Sequence, residues 1–479
     1  MFNDPTPEAG EVRVYNMAMV NGNLFNPPTS SNTGFSVLSP SLSYSTGLSW
    51  FGSFARSSVL GALEGSITTG SLEIVEAKET SCYGTRNEDD KVIRLTVCDN
   101  GFWVRVLMSG GLGFSEAFML GEVETDDLTA LLKLFIDNLS GVSKISSAYG
   151  RINAAITSLS NAFMRQSRSM ARLNASTAYD QSNELFKAFL SKEMMYSCAL
   201  WSGEDGGIHG DLRDGPTSDD LESAQLRKIH YVLKQARVRP GHRLLEFGTG
   251  WGGLAIEAAR SYGCEVDTLT LSIEQKALAE ERIQAAGLQN RVHVHLLDYR
   301  DIPAEFENAF DAFISIEMLE HVGPKYYNTY FKLVSFALKP RNAAAVVCSS
   351  TFPEARYSDY QAEDFMRKYM WPGSCLPSAT VLINAAYVGS QGRLTLNRCE
   401  NHAAHYPRVL RSWGRRLKAN LSQDVIAKTY PGLSDDIQFG IFMRKWQYQF
   451  AYAEAGFLKG YLACHMLTFI RTDDTPPTA

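Results

Sequence analysis

Apolar and polar residues alternate over 70–77 (GSLEIVEA), 92–99 (VIRLTVCD) and 102–109 (FWVRVLMS), between turn-forming stretches. A period of two predicts three half-buried antiparallel strands. The run 126–139 (DDLTALLKLFIDNL) changes to helical spacing, so a small α+β domain is expected at 51–142. Residues 1–50 are rich in Asn, Ser, Thr, Pro and Gly and hold neither period; too little apolar surface is present to offset ordering entropy, which predicts a flexible leader. After Pro240 the pattern becomes short apolar runs alternating with amphipathic stretches. HRLLEF, CEVDTLTLS, RVHVHLLD, AFDAFISIEML and AAAVVCSST read as strands, and GGLAIEAARSYG and IEQKALAEERIQAAG as helices. This βαβ alternation specifies a parallel sheet with helices on both faces. A domain at 179–475 is predicted, with an elaborated lid insertion at about 352–438 and a helix over FGIFMRKWQYQFAYAEAGF.

The length of 479 residues agrees with two or three domains. With 46 Lys+Arg against 52 Asp+Glu, the formal net charge of −6 gives no support to a nucleic-acid binder held by phosphates. The segment 143–178 is the local exception, carrying Lys144, Arg151, Arg165, Arg168 and Arg172 and no acid before Ala178. It reads as a basic linker, either a helix on an anionic membrane surface or a solvated connector. The eight cysteines are scattered without a CxxC pair, no long apolar run spans a bilayer, and acids stand where a signal peptide would be basic. A cytoplasmic, non-spanning protein is expected.

Candidate chemistry concentrates at Glu246-Phe-Gly248-Thr-Gly250-Trp251-Gly252-Gly253, between a predicted strand and helix. Glycines let a ligand approach the backbone, and the carboxyl end of the first strand is where doubly wound sheets bind nucleotide-like molecules. The plain alternative is a Gly-rich turn without a ligand. Gly248, Gly250 and Gly253 also satisfy GxGxxG, the dinucleotide spacing, but the acid that would hold a ribose, Asp267, lies inside the second strand rather than at its tip. An acid ending the first strand and a bulky Trp251 suit S-adenosylmethionine better, because it has no pyrophosphate to cradle.

Four separated motifs, LLEFGTGWGGLAIEAA, TLSIEQ, SIEMLEHVGPKYYNTYF and KYMWPGSCLPS, resemble those of the cyclopropane-fatty-acid synthase and mycolic-acid methyltransferase family. AYDQSNELFKAFLSKEMMYSCALW, ENHAAHYPRVLRSWGRRLKAN and RKWQYQFAYAEAGF extend the resemblance over nearly everything after the leader. It implies a class I S-adenosylmethionine-dependent methyltransferase, a Rossmann-like doubly wound sheet, with a smaller N-terminal α+β lipid-associated domain. Cofactor contacts are implied at Tyr179, Tyr196, Ser197, Glu246, Gly248, Gly250, Trp251, Gly252, Thr270 and Gln275, with Tyr299 and Arg300 flanking the adenine. The implied reaction methylates a cis double bond of a lipid acyl chain and then removes a proton. Trp371, Tyr369 and the stripe Phe439, Phe442, Trp446, Phe450 and Phe457 are candidates to face the transient cation, although such a stripe is also ordinary helix core.

In the resembled enzymes a bound bicarbonate is the base. The corresponding positions are Cys198, Glu320, Ser350, Phe352 and Tyr406, with His321 a candidate second proton carrier. Ser350 departs from the pattern, standing where the bacterial enzymes have a His; serine can donate a hydrogen bond but cannot become cationic, so bicarbonate binding is in question. FPEARY, and Glu317 in place of a glycine, resemble the plant and fungal branch. Glu400, His402 and His405 lack HExxH spacing, and no metal is expected. The expected partners are an unsaturated phospholipid or other lipid and, peripherally, a membrane surface, with a homodimer left open. The product is a cyclopropane or a methyl branch. The alternatives are methylation of a sphingolipid or secondary metabolite on the same scaffold, or a non-catalytic lipid-binding homologue.

Overall fold

The computed structural model describes residues 44–85, 92–141, 182–217 and 219–473, with side chains from Phe51. Tyr179, the basic segment 143–178 and nearly all of the expected leader lie outside the described residues. By internal contacts the chain divides into Met1–Gly47 and Leu48–Ala479. Of the first, only the backbone of 44–47 is described, the opening turn of the helix Tyr44–Leu63. Both sheets lie in the second.

The smaller sheet has the order β2-β1-β3-β4, formed by β1 (Ser71–Val75), β2 (Thr80–Gly84), β3 (Ile93–Val97) and β4 (Val123–Thr125). The predicted alternation holds in β1, where Leu72 and Ile74 are buried, but β1 and β3 run parallel rather than antiparallel. FWVRVLMS is not a strand. It opens the helix Gly101–Leu120, which buries Phe102, Trp103, Phe114 and Phe118 and ends at Gly121 in the left-handed conformation. An alternating run of mixed size also satisfies spacings of three and four, and here Arg105 is turned inward to Glu122 (2.8 Å) and Glu116 (3.7 Å) rather than out to water. The helix kinks at Gly110 (φ 53, ψ −125), a conformation that excludes a Cβ. Asp127 caps the next helix, Leu128–Asp137, by accepting from Ala130 N–H at 2.9 Å.

The larger sheet has the order β10-β11-β9-β8-β5-β6-β7. Strands β5 (Arg243–Phe247), β6 (Glu265–Thr270), β7 (Val292–Leu296), β8 (Ala312–Ile316) and β9 (Ala344–Thr351) are parallel. β11 (Ala463–Arg471) runs antiparallel to β9, and β10 (Leu394–Asn401) antiparallel to β11. Parallel strands need crossovers, and the buried runs RLLEF and AFISI are what a strand covered on both faces requires. Successive strands step outward from β5 to β7, then β8 returns to the other side of β5. That reversal opens a crevice beyond the carboxyl ends of β5 and β8.

The segment 352–438 is not a single lid. The helix Ala379–Gly389 packs on Tyr327–Ala337, and β10 joins the main sheet, both because their apolar faces find partners there. Besides Tyr406, Leu410 and Trp413, the part that borders the crevice is about 352–376. It contains the π turn Met366–Met370, whose i to i+5 bond, Trp371 N–H to Met366 O, is 2.6 Å. Glu116 ties this turn to the helix Gly101–Leu120, accepting from Lys368 Nζ (2.8 Å) and the Tyr369 hydroxyl (2.7 Å).

Candidate active site

The turn after β5 places Gly248, Gly250 and Gly252 at φ 96, 51 and 80, values that favour glycine. No atom lies within 4 Å of where a Cβ on Gly250 would stand, so the backbone faces open space. Gly253 serves packing instead. A Cβ there would meet Glu193 O at 2.1 Å, so the segment leading to Tyr196 can lie on it only because it is glycine. Gly252 is likewise structural, capping the helix Gly253–Tyr262 and facing Ala279. It does not border the cavity over the turn, unlike the other expected cofactor residues that are described.

That cavity measures about 1550 Å³, above the roughly 300–1,000 Å³ usual for ligand pockets. Its polar end gathers Gly248, Gly250, Thr270, Gln275 and Tyr299. Thr270 Oγ1 donates to Gln275 Oε1 at 2.8 Å, and the Ser272 hydroxyl caps the helix that carries Gln275. Glu246 is buried, accepts from Thr268 Oγ1 at 2.6 Å, and is pushed up to about 8 by burial, against the pull of that bond and of Lys228. Trp251 donates from its indole to Asn183 Oδ1 at 2.7 Å and packs on Phe186. Arg300 is held by Asp298 (2.6 Å), with its guanidinium over the Tyr326 ring at 5.3 Å. Asp267 instead pairs with Arg243 (2.8 Å) and His295 (2.9 Å) along the strand, away from any ribose position.

The middle of the cavity lies beyond β8. Glu320 is buried and Glu317 half-buried, and desolvation raises both carboxyls, Glu320 to about 8 with the charge of Glu317 adding to the rise. Glu317 Oε1 accepts from Cys198 N–H at 2.9 Å, and Oε2 accepts from the Tyr406 hydroxyl. Glu320 Oε1 accepts from Ser350 N–H at 2.5 Å, and its Oε2 has no hydrogen-bond partner among the described residues. His321 stands edge-on to Trp371 (5.6 Å), and its low-polarity surroundings depress its pKa. Tyr406 stacks on Phe457 at 4.3 Å. Glu320, Tyr406, His321 and Ser350 therefore converge on one wall, whereas the Cys198 thiol lies behind it, on a small separate void with Cys348 and Cys464.

Beyond this wall the lining turns apolar, with Leu72 and Leu95 of the smaller sheet and Phe102, Phe135 and Ile136 of the helices beside it. The kinked Ser109–Leu112 backbone borders the same space. The aromatic stripe on Asp436–Leu458 contributes Phe457; Phe442, Trp446 and Phe450 pack inward, Trp446 against Phe189 (5.5 Å). The cavity face of that helix is instead Tyr448, Gln449, Tyr452 and Gly456, because a helix buried on most sides offers no apolar stripe that marks one face. Tyr369 turns its hydroxyl to Glu116 and does not line the cavity.

Residues 166–467 match the family model described as mycolic acid cyclopropane synthetase. The chain belongs to that family. It is 33% identical over 376 residues to the tuberculostearic acid methyltransferase of Mycobacterium tuberculosis, covering 78% of this chain and 81% of the relative. It is 32% identical over 318 residues to the cyclopropane-fatty-acyl-phospholipid synthase of Escherichia coli K12, covering 66% and 75%. A solved coclaurine N-methyltransferase, bound to N-methylheliamine and S-adenosylhomocysteine, shares the fold at a TM-score of 0.55 and 21% identity over 74% of this chain and 98% of that one. This cyclopropane synthetase relative is a class I methyltransferase whose methyl donor is S-adenosylmethionine.

The residues present fit that donor. The open backbone at Gly250, the paired Thr270 and Gln275, and a buried carboxylate at Glu246 make a cradle for a molecule with a ribose and two cationic centres. Bicarbonate does not fit in the same way. Of the donors the resemblance assigns to it, Cys198 N–H and the Tyr406 hydroxyl are spent on Glu317, and Phe352 N–H on Pro377 O (2.8 Å). Sequence reasoning missed Lys228, a buried ammonium that donates to Ser197 Oγ at 2.8 Å. A lysine on an amphipathic helix is ordinarily exposed, and the four-residue spacing of Ala224, Lys228 and Val232, on the buried face, was the available signal.

Proposed function

We propose that this enzyme methylates the double bond of an unsaturated lipid acyl chain, giving a cyclopropane or methyl-branched product. The observation that carries the reading is the continuity of one cavity from the glycine turn, past Glu317 and His321, to the apolar walls of the smaller sheet and the helices beside it. A polar small-molecule substrate has no use for that length of apolar wall, and an acyl chain does. When bound, S-adenosylmethionine supplies an electrophilic methyl group on sulfur. Trp371 and Tyr196, whose rings lie 5.8 Å apart, present aromatic faces to the middle of the cavity, and each such face stabilises a nearby cation by about 0.5–2 kcal/mol. Phe352, Phe457 and Leu410 keep water from a carbocation that would otherwise add it. The carboxylates beyond β8 take up the proton.

Among the described residues no helix is long and apolar enough to cross a membrane. The enzyme reaches its lipid peripherally, and the cations of 143–178, lying without an acid among them, supply attraction to anionic headgroups. Incubation with methyl-labelled donor and monounsaturated phospholipid vesicles tests the reading. Label enters the extracted acyl chains; label confined to a sphingoid base or a water-soluble metabolite contradicts it.

A further inference from the structure

Glu317 combines three costs at one position. Its backbone is left-handed (φ 51), a conformation in which a residue with a Cβ is strained. Its carboxylate is half-buried and desolvated on the protein side, where a charge is costly unless it is hydrogen-bonded. Two donors from distant parts of the chain, Cys198 N–H at 2.9 Å and the Tyr406 hydroxyl, are consumed in holding it. None of these is needed to build β8, which ends at Ile316. A left-handed backbone and a desolvated carboxylate at a cavity wall point to a functional role there.

That role follows from what the carboxylate displaces. A free anion between Cys198 N–H and the Tyr406 hydroxyl would need the two bonds that Glu317 already receives. We infer that Glu317 is the proton acceptor of this enzyme, its side-chain carboxylate standing in the chain itself where related enzymes recruit a dissolved anion. The inference rests on the alkene-methylation reading above. After the alkene π pair has bonded to the incoming methyl carbon, one carbon of the former double bond is cationic. Glu317 takes a proton from the added methyl, and the electron pair of the broken C–H bond closes the ring onto the cationic carbon. If a hydride first shifts from the methylated carbon to its cationic neighbour, the same proton loss leaves a methylene branch on the open chain. In both cases the carboxylate becomes a carboxylic acid and no oxidant or reductant is required. Tyr406 and Cys198 orient the carboxylate, and the buried Lys228 favours its ionised form before the transfer.

Three proteins are compared: wild type, Glu317→Gln and Glu317→Gly. The glycine variant relaxes the left-handed backbone and so is expected to fold. Titration with carbon-13 bicarbonate, read by NMR, requires no turnover: wild type shows no saturable binding, and Glu317→Gly acquires it. Turnover of wild type is unchanged in buffer stripped of carbon dioxide. Glu317→Gln loses about 100-fold or more in turnover, the scale of a removed general base, while its donor affinity is retained. Glu317→Gly is equally impaired in stripped buffer and regains turnover with added bicarbonate or formate. Saturable bicarbonate binding by wild type, bicarbonate-dependent wild-type turnover, or a fully active Glu317→Gln each overturns the inference. If no lipid is methylated by any of the three, the proposed substrate has failed instead, and the titration still decides whether Glu317 fills the anion position.

Discussion

The ammonium of Lys228 donates to the Ser197 hydroxyl across 2.8 Å, and its charge reaches both Glu246 and Glu317. Burial depresses the pKa of this lysine, while its charge draws the pKa of both carboxyls down, opposing the rise that desolvation causes. One buried cation thus touches a residue at the donor site and biases the ionisation of carboxylates in both halves of the cavity.

Lys228→Met removes that bias. The carboxyl of Glu317 then titrates at higher pH, and the rising limb of the pH profile of kcat moves upward with it. Turnover at neutral pH falls about tenfold, equivalent to ~1.4 kcal/mol. An unshifted limb would show that Lys228 acts only on folding.

Binding of the donor releases protons. With its carboxyl pushed up to about 8, Glu246 is mostly protonated at neutral pH in the free protein. A ligand bearing a sulfonium and an ammonium favours the ionised form, so close to one proton leaves on binding at about pH 7. Calorimetric titration in buffers of different ionisation enthalpy measures it; heats independent of the buffer would contradict it. Glu246→Gln abolishes the release.

Glu320→Gln is expected to leave donor affinity intact, because Glu320 is bonded to Ser350 N–H rather than to the glycine turn, and to lower turnover less than Glu317→Gln, because its carboxyl is mostly protonated at neutral pH. It also changes stability in a pH-dependent way. The carboxyl sits near 8 in the fold against about 4.5 in the unfolded chain, so the native state binds the extra proton between those values. Its stabilising contribution is complete below about pH 4.5 and disappears as pH rises toward 8. The glutamine variant loses less stability than wild type between about pH 5 and 8, as denaturant midpoints report.

Much of the larger sheet is legible in the sequence. RLLEF and AFISI are short apolar runs set between turn residues and amphipathic helices, and a fully buried parallel strand has little other way to appear. The glycine turn is legible for the same reason, since Gly248 and Gly250 occupy angles other residues avoid. FWVRVLMS misleads because its spacing fits both periods, and the inward arginine that decides the matter pairs with Glu122 and Glu116, further along the chain. The stripe Phe442, Trp446 and Phe450 misleads because nearly every face of its helix is covered, so hydrophobicity does not distinguish cavity from core. Glu317 is visible in the sequence only as an acid where a glycine is expected. Its partners lie 119 and 89 residues away, and only the topology brings them to it.

The most direct test of the account uses donor carrying a fully deuterated methyl group, with monounsaturated phospholipid vesicles and mass spectrometry of the released acyl chains. Methyl transfer to the alkene followed by proton loss to the protein leaves two of the three deuterons on a single added carbon, in a ring or a methylene. Retention of all three on an oxygen or nitrogen, or acyl chains without deuterium beside consumed donor, would contradict it.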